Sequence, residues 1–333
     1  MTGPLLPADG RVLVVAEIGN NHEGDFDLAG ELVRLAARSG ADAVKFQTFR
    51  TEHYVSRADE TRFRRLKGFE LPPSRLAELA SLARDEGLLF LSTPFDMGSA
   101  AILEGVVDAY KIASGDLDFL PLLDRVARSG KPVVLSTGAS DLARVERGVE
   151  FVHERQRAGS ELAVLHCVSS YPVPAEEANL RSIPFLAGRL GVPIGYSDHT
   201  IGIDAAVLAV ALGARIVEKH FTIAKDHSDF RDHQLSADPA EMKSLVEKVR
   251  LAIRMLGESA KAVQPSERGS VDLIRRSIVA AGDLPLGRRI EWADLTWVRP
   301  AGGLAPGQES VLLGKRLRRD VGFGDRILPA DVE

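Results

Sequence analysis

VLVVAEIGNNHEG, residues 12–24, carries the pattern from which the rest of the chain is read. An apolar run of strand character, Val12 to Ala16, stops at Glu17 and passes into a polar cluster. The same change recurs in VKFQTF (44–49), LSTPFD (91–96), YKIASGD (110–116), VLSTGAS (134–140), LHCVSSYP (165–172), GYSDHT (195–200) and VEKHFT (217–222). Helix-forming stretches separate these runs, as parallel β/α units require. Eight such units predict an α/β chain folded as a (β/α)8 TIM barrel. The C-terminal strand ends of such a barrel share one mouth, so polar groups far apart in sequence would converge on one pocket. The pattern therefore points to an enzyme.

Composition narrows the class further. At 333 residues, 45% hydrophobic and 27% charged, the chain can bury a full core, and its length suits one barrel plus something small. A formal net charge of -5 without a basic stripe argues against nucleic acid or an anionic membrane as partner. No stretch approaches the ~18 apolar residues of a membrane span, and the N-terminus MTGPLLPADG lacks the basic-then-apolar order of a secretory signal. The lone Cys167 excludes an internal disulfide and fits a reducing cytoplasm.

The segments between the runs have helical periodicity. From Phe26 to Ser39, Leu28, Leu32, Leu35 and Ala36 share one face and Gly40 follows as a stop. In the last barrel helix Asp238 is the expected N-cap, Pro239 the first helical residue and Glu241 the partner in a capping box. Met242, Leu245, Val246, Val249, Ile253 and Leu256 form its apolar face before Gly257. The polar, breaker-rich stretch that follows reads as a linker. The predicted divisions are 1–258 for the barrel, 259–271 for the linker and 272–333 for a second domain. That tail is turn-rich and repeats itself at a spacing of 37 residues: Asp283, Gly287, Arg289, Ile290, Ala293 and Asp294 recur as Asp320, Gly324, Arg326, Ile327, Ala330 and Asp331. Two copies of one β-unit explain it.

At the strand ends, Lys45 and Lys111 lie on strands two and four, with Thr93, Ser114, Ser136 and Ser197 supplying hydroxyls beside them. Two ammonium groups and several hydroxyls in a partly dry cavity suit a small, highly charged anion such as a phosphate plus a carboxylate. Buried lysines with no such ligand would carry a large desolvation cost. His199 and His220 close strands seven and eight, adjacent around the barrel. Either alone is more often a hydrogen-bonded polar residue, whereas the pair suits a divalent first-row metal with open positions for water and substrate. Glu17 fits three roles: general base, indirect metal partner or hydrogen-bond acceptor for substrate.

Taken in order, EIGNNHEG, VKFQTF, STPFD, YKIASGD, LSTGAS, LHCVSSYPVP, GYSDHT and EKHFT, followed by WVRPAGGLAP in the tail, resemble the sialic acid synthase family from about Val12 to Glu333. The resemblance implies a cytoplasmic, metal-dependent transferase that condenses phosphoenolpyruvate with an N-acetylated amino sugar, giving a nine-carbon 3-deoxy-2-keto acid and phosphate. It implies that the tail is the family's small, mostly β antifreeze-like (SAF, β-clip) domain, reaching over the partner's active site in a swapped homodimer. Position by position, it assigns Lys45, Thr93, Lys111, Ser114, Ser136, Ser169 and Ser197 to phosphoenolpyruvate, and His199 and His220 to the metal, usually Mn2+, with Mg2+ or Co2+ as alternatives. Gln47, Asp116, Tyr171 and Asp232 are implied sugar contacts, with Arg299 supplied by the partner's tail, and Glu17 matches the family's acid–base candidate.

Departures from the family pattern fall on the sugar side. Asp116 stands where neuraminate-forming members usually have Glu, Val168 replaces a common Thr, and KDHSDFRDHQLS lacks the usual Pro-Gly-Pro-Asp. The acceptor implied is accordingly N-acetylmannosamine, a 2,4-diacetamido hexose or another aldose. The alternatives are a related 3-deoxy-2-keto acid synthase, a metal-dependent aldolase, or a non-catalytic sugar-binding protein.

Overall fold

In a computed structural model describing residues 5–6 and 10–333, eight strands close into a barrel, each parallel to its neighbours. They are β1 (Leu13–Gly19), β2 (Ala43–Thr48), β3 (Leu89–Pro94), β4 (Ala109–Ile112), β5 (Val133–Ser136), β6 (Leu162–Cys167), β7 (Ile194–Asp198) and β8 (Ile216–His220). Pairing of β8 with β1, in the register Ile216 to Leu13 through His220 to Glu17, closes the ring. The predicted TIM barrel is the observed fold. Most of MTGPLLPADG, the stretch read for a secretory signal, lies outside the described residues. No helix among those residues is long and apolar enough to cross a membrane.

Side-chain alternation along each strand sorts the sequence into two environments. Outward residues such as Val14, Ala16, Val44, Phe46, Phe90, Tyr110, Val164 and Val217 pack beneath the surrounding helices. Inward residues change character along the strand: Leu13, Val15, Ala43, Leu91, Ala109, Val134, Ala163, Leu165 and Ile216 fill the lower interior, and the polar strand ends occupy the upper one. Close packing of the interior demands Gly195 on β7. A Cβ there would lie 2.5 Å from Leu165 Cδ2 and 2.6 Å from the Ile216 carbonyl oxygen.

The helices follow the predicted periods with three corrections, one of which is that Leu256, expected on the apolar face of Pro239–Leu256, is 52% exposed in the last turn. In Phe26–Arg38 the buried stripe is Ala29, Leu32, Val33 and Ala36, while Leu28 and Leu35 are only partly buried, because small residues let the helix approach the sheet. In Pro239–Leu256, Asp238 does cap the first turn through the Ala240 and Glu241 amides. No capping box forms there, since the Glu241 carboxylate instead accepts from Lys225 Nζ at 2.7 Å.

The chain divides after Gly257 into two compact units. Within the predicted linker a short 3-10 turn forms at Pro265–Glu267, and the helical turn Val271–Ile274 begins at its last residue. The second unit holds the antiparallel pair β9 (Ser277–Ala280) and β10 (Leu295–Val298) over its own apolar core, which includes Ile278, Ile290, Leu312, Leu317, Val321 and Ile327. The 37-residue repeat has a structural counterpart. Leu284 bridges Val321, which stands 37 residues further on, in antiparallel register. Asp283 Oδ1 accepts from the Phe323 amide at 2.8 Å, and Asp320 Oδ1 from the Leu286 amide at 2.7 Å, so each copy holds the other by the same contact.

Because these contacts are equivalent, Asp283→Ala and Asp320→Ala should each cost the second unit about 1 kcal/mol, the net value of a hydrogen bond. Trp292 and Trp297 are the only tryptophans in the chain, so fluorescence-monitored unfolding reports this unit alone. A loss confined to one of the two variants would contradict the equivalence.

Candidate active site

The upper interior of the barrel is a cavity of about 710 Å³. It is lined by Glu17, Lys45, Gln47, Thr93, Lys111, Ser114, Asp116, Ser136, Ser169, Tyr171, Ser197, His199, His220 and Asp232. These are all of the barrel residues proposed from the sequence. Arg299 belongs to the second unit, just before a cis Pro300.

At the cavity floor sits a network of four buried charged side chains. Lys45 Nζ lies 2.9 Å from Glu17 Oε1 and 3.7 Å from Glu218 Oε2, and it donates to Thr93 Oγ1 at 3.2 Å. Lys111 Nζ reaches Glu218 Oε1 at 3.4 Å, and Ser197 Oγ donates to the same oxygen at 2.9 Å. Gln47 Nε2 donates to Glu17 Oε1 at 3.2 Å, and Gln47 Oε1 accepts from Asn20 Nδ2 at 2.8 Å. Glu218 was absent from the sequence-derived set. Its signal was available: it precedes His220 by two residues on β8, so strand alternation turns both inward. Lys219 between them faces outward and pairs with Asp198 at 3.0 Å, almost fully buried.

Burial and pairing set the ionisation of this network. Burial opposes the charge on Glu218, yet Lys111 and Lys45 outweigh it and hold the carboxyl at about 2. Glu17 goes the other way: burial, helped by repulsion from Glu218, raises it despite Lys45. Lys45 stays raised because two carboxylates overcome burial, whereas Lys111 is lowered because burial wins. With Glu17 ionised the four charges cancel.

The two histidines meet at the mouth with ring centroids 5.5 Å apart. His199 Nδ1 lies 2.9 Å from the Val168 carbonyl oxygen, which can only accept. In the neutral ring Nδ1 therefore carries the proton and Nε2 keeps its lone pair. Burial, then His199 and Lys45, push His220 far below its ordinary range, and its Nδ1 has no hydrogen-bond partner. For His199 burial is outweighed by Cys167, whose Sγ lies 3.7 Å from Nδ1. Tyr171 packs on His199 at 4.1 Å. Two adjacent imidazoles, which a divalent metal binds in their neutral form, suit such an ion. Among the described residues no group of three or more His, Cys, Asp or Glu converges on one ion, so water or substrate oxygens would complete its coordination. Buried Ser136 Oγ and Glu17 Oε2 also lack hydrogen-bond partners.

On the outer side, Ser114 and Asp116 form a 3-10 turn after β4, and Ser114 Oγ accepts from the Gly138 amide at 2.9 Å. Burial, with Asp118 nearby, raises Asp116 to about 6. Burial likewise raises Asp232, against the opposing pull of Arg231. This side also presents Tyr54, Arg62, Arg65, Leu66, Phe95, Phe230 and Arg231. Sequence reasoning missed most of these because Tyr54 sits on the short helix Thr51–Tyr54, Arg62, Arg65 and Leu66 on the helix Glu60–Phe69, and Phe230 and Arg231 on a loop, all outside the strand-end pattern, whereas Phe95 lay within it, in LSTPFD, and was passed over as apolar. That helix folds back through an aromatic cluster in which Tyr54 stacks on Phe95 at 4.3 Å and Phe69 meets Phe230 at 5.3 Å.

Comparison with known proteins agrees with this architecture. The model of the NeuB family matches residues 32–261, and that of the SAF domain residues 275–333. An uncharacterized protein of Methanocaldococcus jannaschii is 42% identical over 308 residues, covering 92% of this chain and 90% of its own. The N,N'-diacetyllegionaminic acid synthase of Legionella pneumophila is 38% identical over 336 residues, covering 96% of this chain and 94% of its own. The crystal structure of N-acetylneuraminic acid (sialic acid) synthetase from Leptospira borgpetersenii, in complex with citrate, aligns with a TM-score of 0.75 at 35% identity, covering 78% of this chain and 90% of that one.

Removing one member of a buried charge pair leaves its partner stranded, at a cost of about 3–5 kcal/mol. Glu218→Gln should show a loss of that order in denaturant unfolding followed by far-UV circular dichroism. Adding Lys111→Met should recover part of it, giving a double-mutant cycle with strong coupling. Additive losses would mean that the two groups do not act as a pair.

Proposed function

The chain belongs to the NeuB family and carries a SAF domain, and from that premise we propose that it condenses phosphoenolpyruvate with an N-acetylated amino sugar to give a nonulosonate and phosphate. One observation carries the reading: two lysines buried at the floor of a closed-end cavity, balanced by carboxylates and ringed by hydroxyls, of which that of Ser136 is buried without a hydrogen-bond partner. A metal-dependent aldolase would leave that lysine pair without an anion to bind. The acceptor to test first is a 2,4-diacetamido hexose, the kind of sugar that the product name of the Legionella relative implies. N-acetylmannosamine is the second. Leu66, Phe95 and Phe230 beside Asp116 and Asp232 suit a ligand bearing both acetamido methyls and hydroxyls.

In this reading Lys45 and Lys111 hold the phosphate and carboxylate of phosphoenolpyruvate, and Thr93, Ser114, Ser136, Ser169 and Ser197 donate to their oxygens. Gln47, Asp116, Tyr171 and Asp232 orient the open-chain sugar so that its aldehyde carbon faces the enol carbon. As that carbon attacks, a C–C bond forms and the aldehyde oxygen takes a proton from Glu17, whose pKa burial has raised. Water then adds to the former enol ether carbon, phosphate leaves with cleavage of the C–O bond, and the proton released returns to Glu17. The residues that would hold a divalent metal, Mn2+ first and Mg2+ or Co2+ as alternatives, are His199 and His220, and such an ion supplies Lewis acidity toward the acceptor's carbonyl oxygen. Charge balance supports that assignment. Phosphoenolpyruvate brings about three negative charges at neutral pH, whereas the four floor groups sum to zero with Glu17 ionised and to one positive charge with it protonated. Arg299 acts in trans in a homodimer, each SAF domain serving the partner's barrel.

The deciding experiment incubates the protein with phosphoenolpyruvate, Mn2+ and a panel of aldoses, measuring phosphate release together with product mass. A coupled product with the mass of both substrates plus one water less phosphoric acid is expected, and phosphate release without any sugar would overturn the synthase reading. Chelation should abolish turnover and Mn2+ restore it, with His199→Ala and His220→Ala losing both metal and rate. Lys45→Ala should raise the phosphoenolpyruvate KM by about tenfold or more, the loss of one charge-assisted contact, whichever sugar is used. For the trans arrangement, Arg299→Ala and Lys45→Ala proteins, each impaired at phosphoenolpyruvate well below the raised KM, are mixed under that condition. Subunit exchange should produce one intact site per mixed dimer and recover part of the activity, and no recovery after confirmed exchange would place Arg299 in its own barrel.

A further inference from the structure

After β8 the chain leaves the barrel at Phe221 and returns at Ala237, where the Thr222 amide donates to the Ala237 carbonyl at 3.0 Å and the Ala237 amide to the His220 carbonyl at 2.7 Å. The loop pinned at this base carries Phe230, Arg231 and Asp232 to the cavity wall. Its only regular structure is the four-residue helix Asp232–Leu235. What shapes it comes from the turn after β1. Asn21 Nδ2 donates to the Phe221 carbonyl at 2.8 Å and to Ser236 Oγ at 3.0 Å, and Ser236 Oγ donates to the Asp232 carbonyl at 2.6 Å.

Glu23 makes the second grip. Its Oε1 accepts from Ser228 Oγ at 2.6 Å and lies 3.0 Å from His233 Nε2, while the other nitrogen of that fully buried ring lies 2.6 Å from Thr222 Oγ1. One carboxylate oxygen thus holds the loop on both sides of residues 230–232. Neither Glu23 nor His233 lines the cavity. Glu23 holds a φ of +48°, a conformation glycine adopts more cheaply. The same turn braces the opposite wall. At Gly24, φ +86°, a Cβ would lie 2.1 Å from the Gly68 carbonyl oxygen, so the turn is seated against the helix Glu60–Phe69 that presents Arg62, Arg65 and Leu66.

We propose that Glu23 and His233 are positioning residues for the acceptor half of the site: through the Ser228–Glu23–His233–Thr222 chain they set where Phe230, Arg231 and Asp232 stand against the bound sugar. The anion half is independent of them, because Lys45, Lys111, Ser136 and Ser197 sit on strands fixed by the barrel's own hydrogen bonding. Asp232 feels the placement most. It is 9% exposed, its Oδ1 is met only by Arg231 Nε at 3.4 Å, and its main chain is held between Ser236 and the tethered His233.

The inference rests on the condensation reading for its kinetic arm and on the fold alone for its exchange arm. Glu23→Ala and His233→Ala should raise the acceptor KM by about tenfold, the equivalent of a hydrogen-bonded contact or two. The phosphoenolpyruvate KM should stay within about twofold, less than half a contact on the same scale. Glu23→Gln keeps an accepting oxygen in place and should restore the acceptor KM, and the double Ala variant should be no worse than either single one. In hydrogen–deuterium exchange, Glu23→Ala should lose protection over residues 225–236 with the barrel strands unchanged. Equal movement of both Michaelis constants, or unaltered exchange over 225–236, overturns the proposal. A wild-type protein that condenses no sugar sinks the reaction instead and leaves the exchange result to stand or fall by itself.

Discussion

Two ammonium groups in the upper interior of a β-barrel must be neutralised where water is scarce, and the rest of this structure is arranged around that requirement. Isolated buried charges would cost far more than the fold's net stability. Glu218 bridges Lys45 and Lys111 and is held ionised by them, while Glu17 takes the remaining side of Lys45 and is pushed toward its neutral form. The pair of carboxylates is therefore asymmetric: one is fixed charge, and the other has a proton within reach. Such a division of labour follows from position alone. Glu218 touches both lysines, and Glu17 is close to only one.

Strand alternation brings these groups together and also keeps competing charges out. Lys219 lies between Glu218 and His220 in sequence, yet it points outward to Asp198. The apolar layer beneath, from Leu13 to Ile216, excludes water from below and gives the lysines no other partner. Gly195 lets that layer close, since any side chain there would collide with Leu165 and the Ile216 backbone.

The order of the barrel was legible because its signal is local: an apolar run ending in polar residues, repeated eight times. The strand-end residues were legible for the same reason, and alternation would have found Glu218 as well. Residues that reach the cavity from elsewhere left no such trace. Arg62, Arg65 and Leu66 line it only because a helix after β2 is folded back through contacts among Tyr54, Phe69, Phe95 and Phe230, which are distant in sequence. The missing capping box at Glu241 has a similar cause: a tertiary partner, Lys225, outbid the local one. In the second unit the 37-residue repeat was readable, but its meaning required the coordinates, which show Asp283 and Asp320 each binding the other copy's turn.

The two halves of the cavity are built on different kinds of structure, and this bears on how one fold could serve several acceptors. The lysines, Glu17, Glu218 and the serines of β5 and β7 are set by strands whose register cannot slip without turning every side chain to the wrong face. Asp116, Tyr171, Arg231 and Asp232 stand on turns and loops, which tolerate substitution and insertion. The sequence departs from the family pattern at Asp116, Val168 and KDHSDFRDHQLS, all on the loop-built side. A loop that is free to vary is also free to move, however, and a sugar contact displaced by 1 Å loses most of its value. Glu23 and His233 answer that difficulty in this chain by fastening the loop to the turn after β1, so that a segment without regular backbone pairing is still held in place.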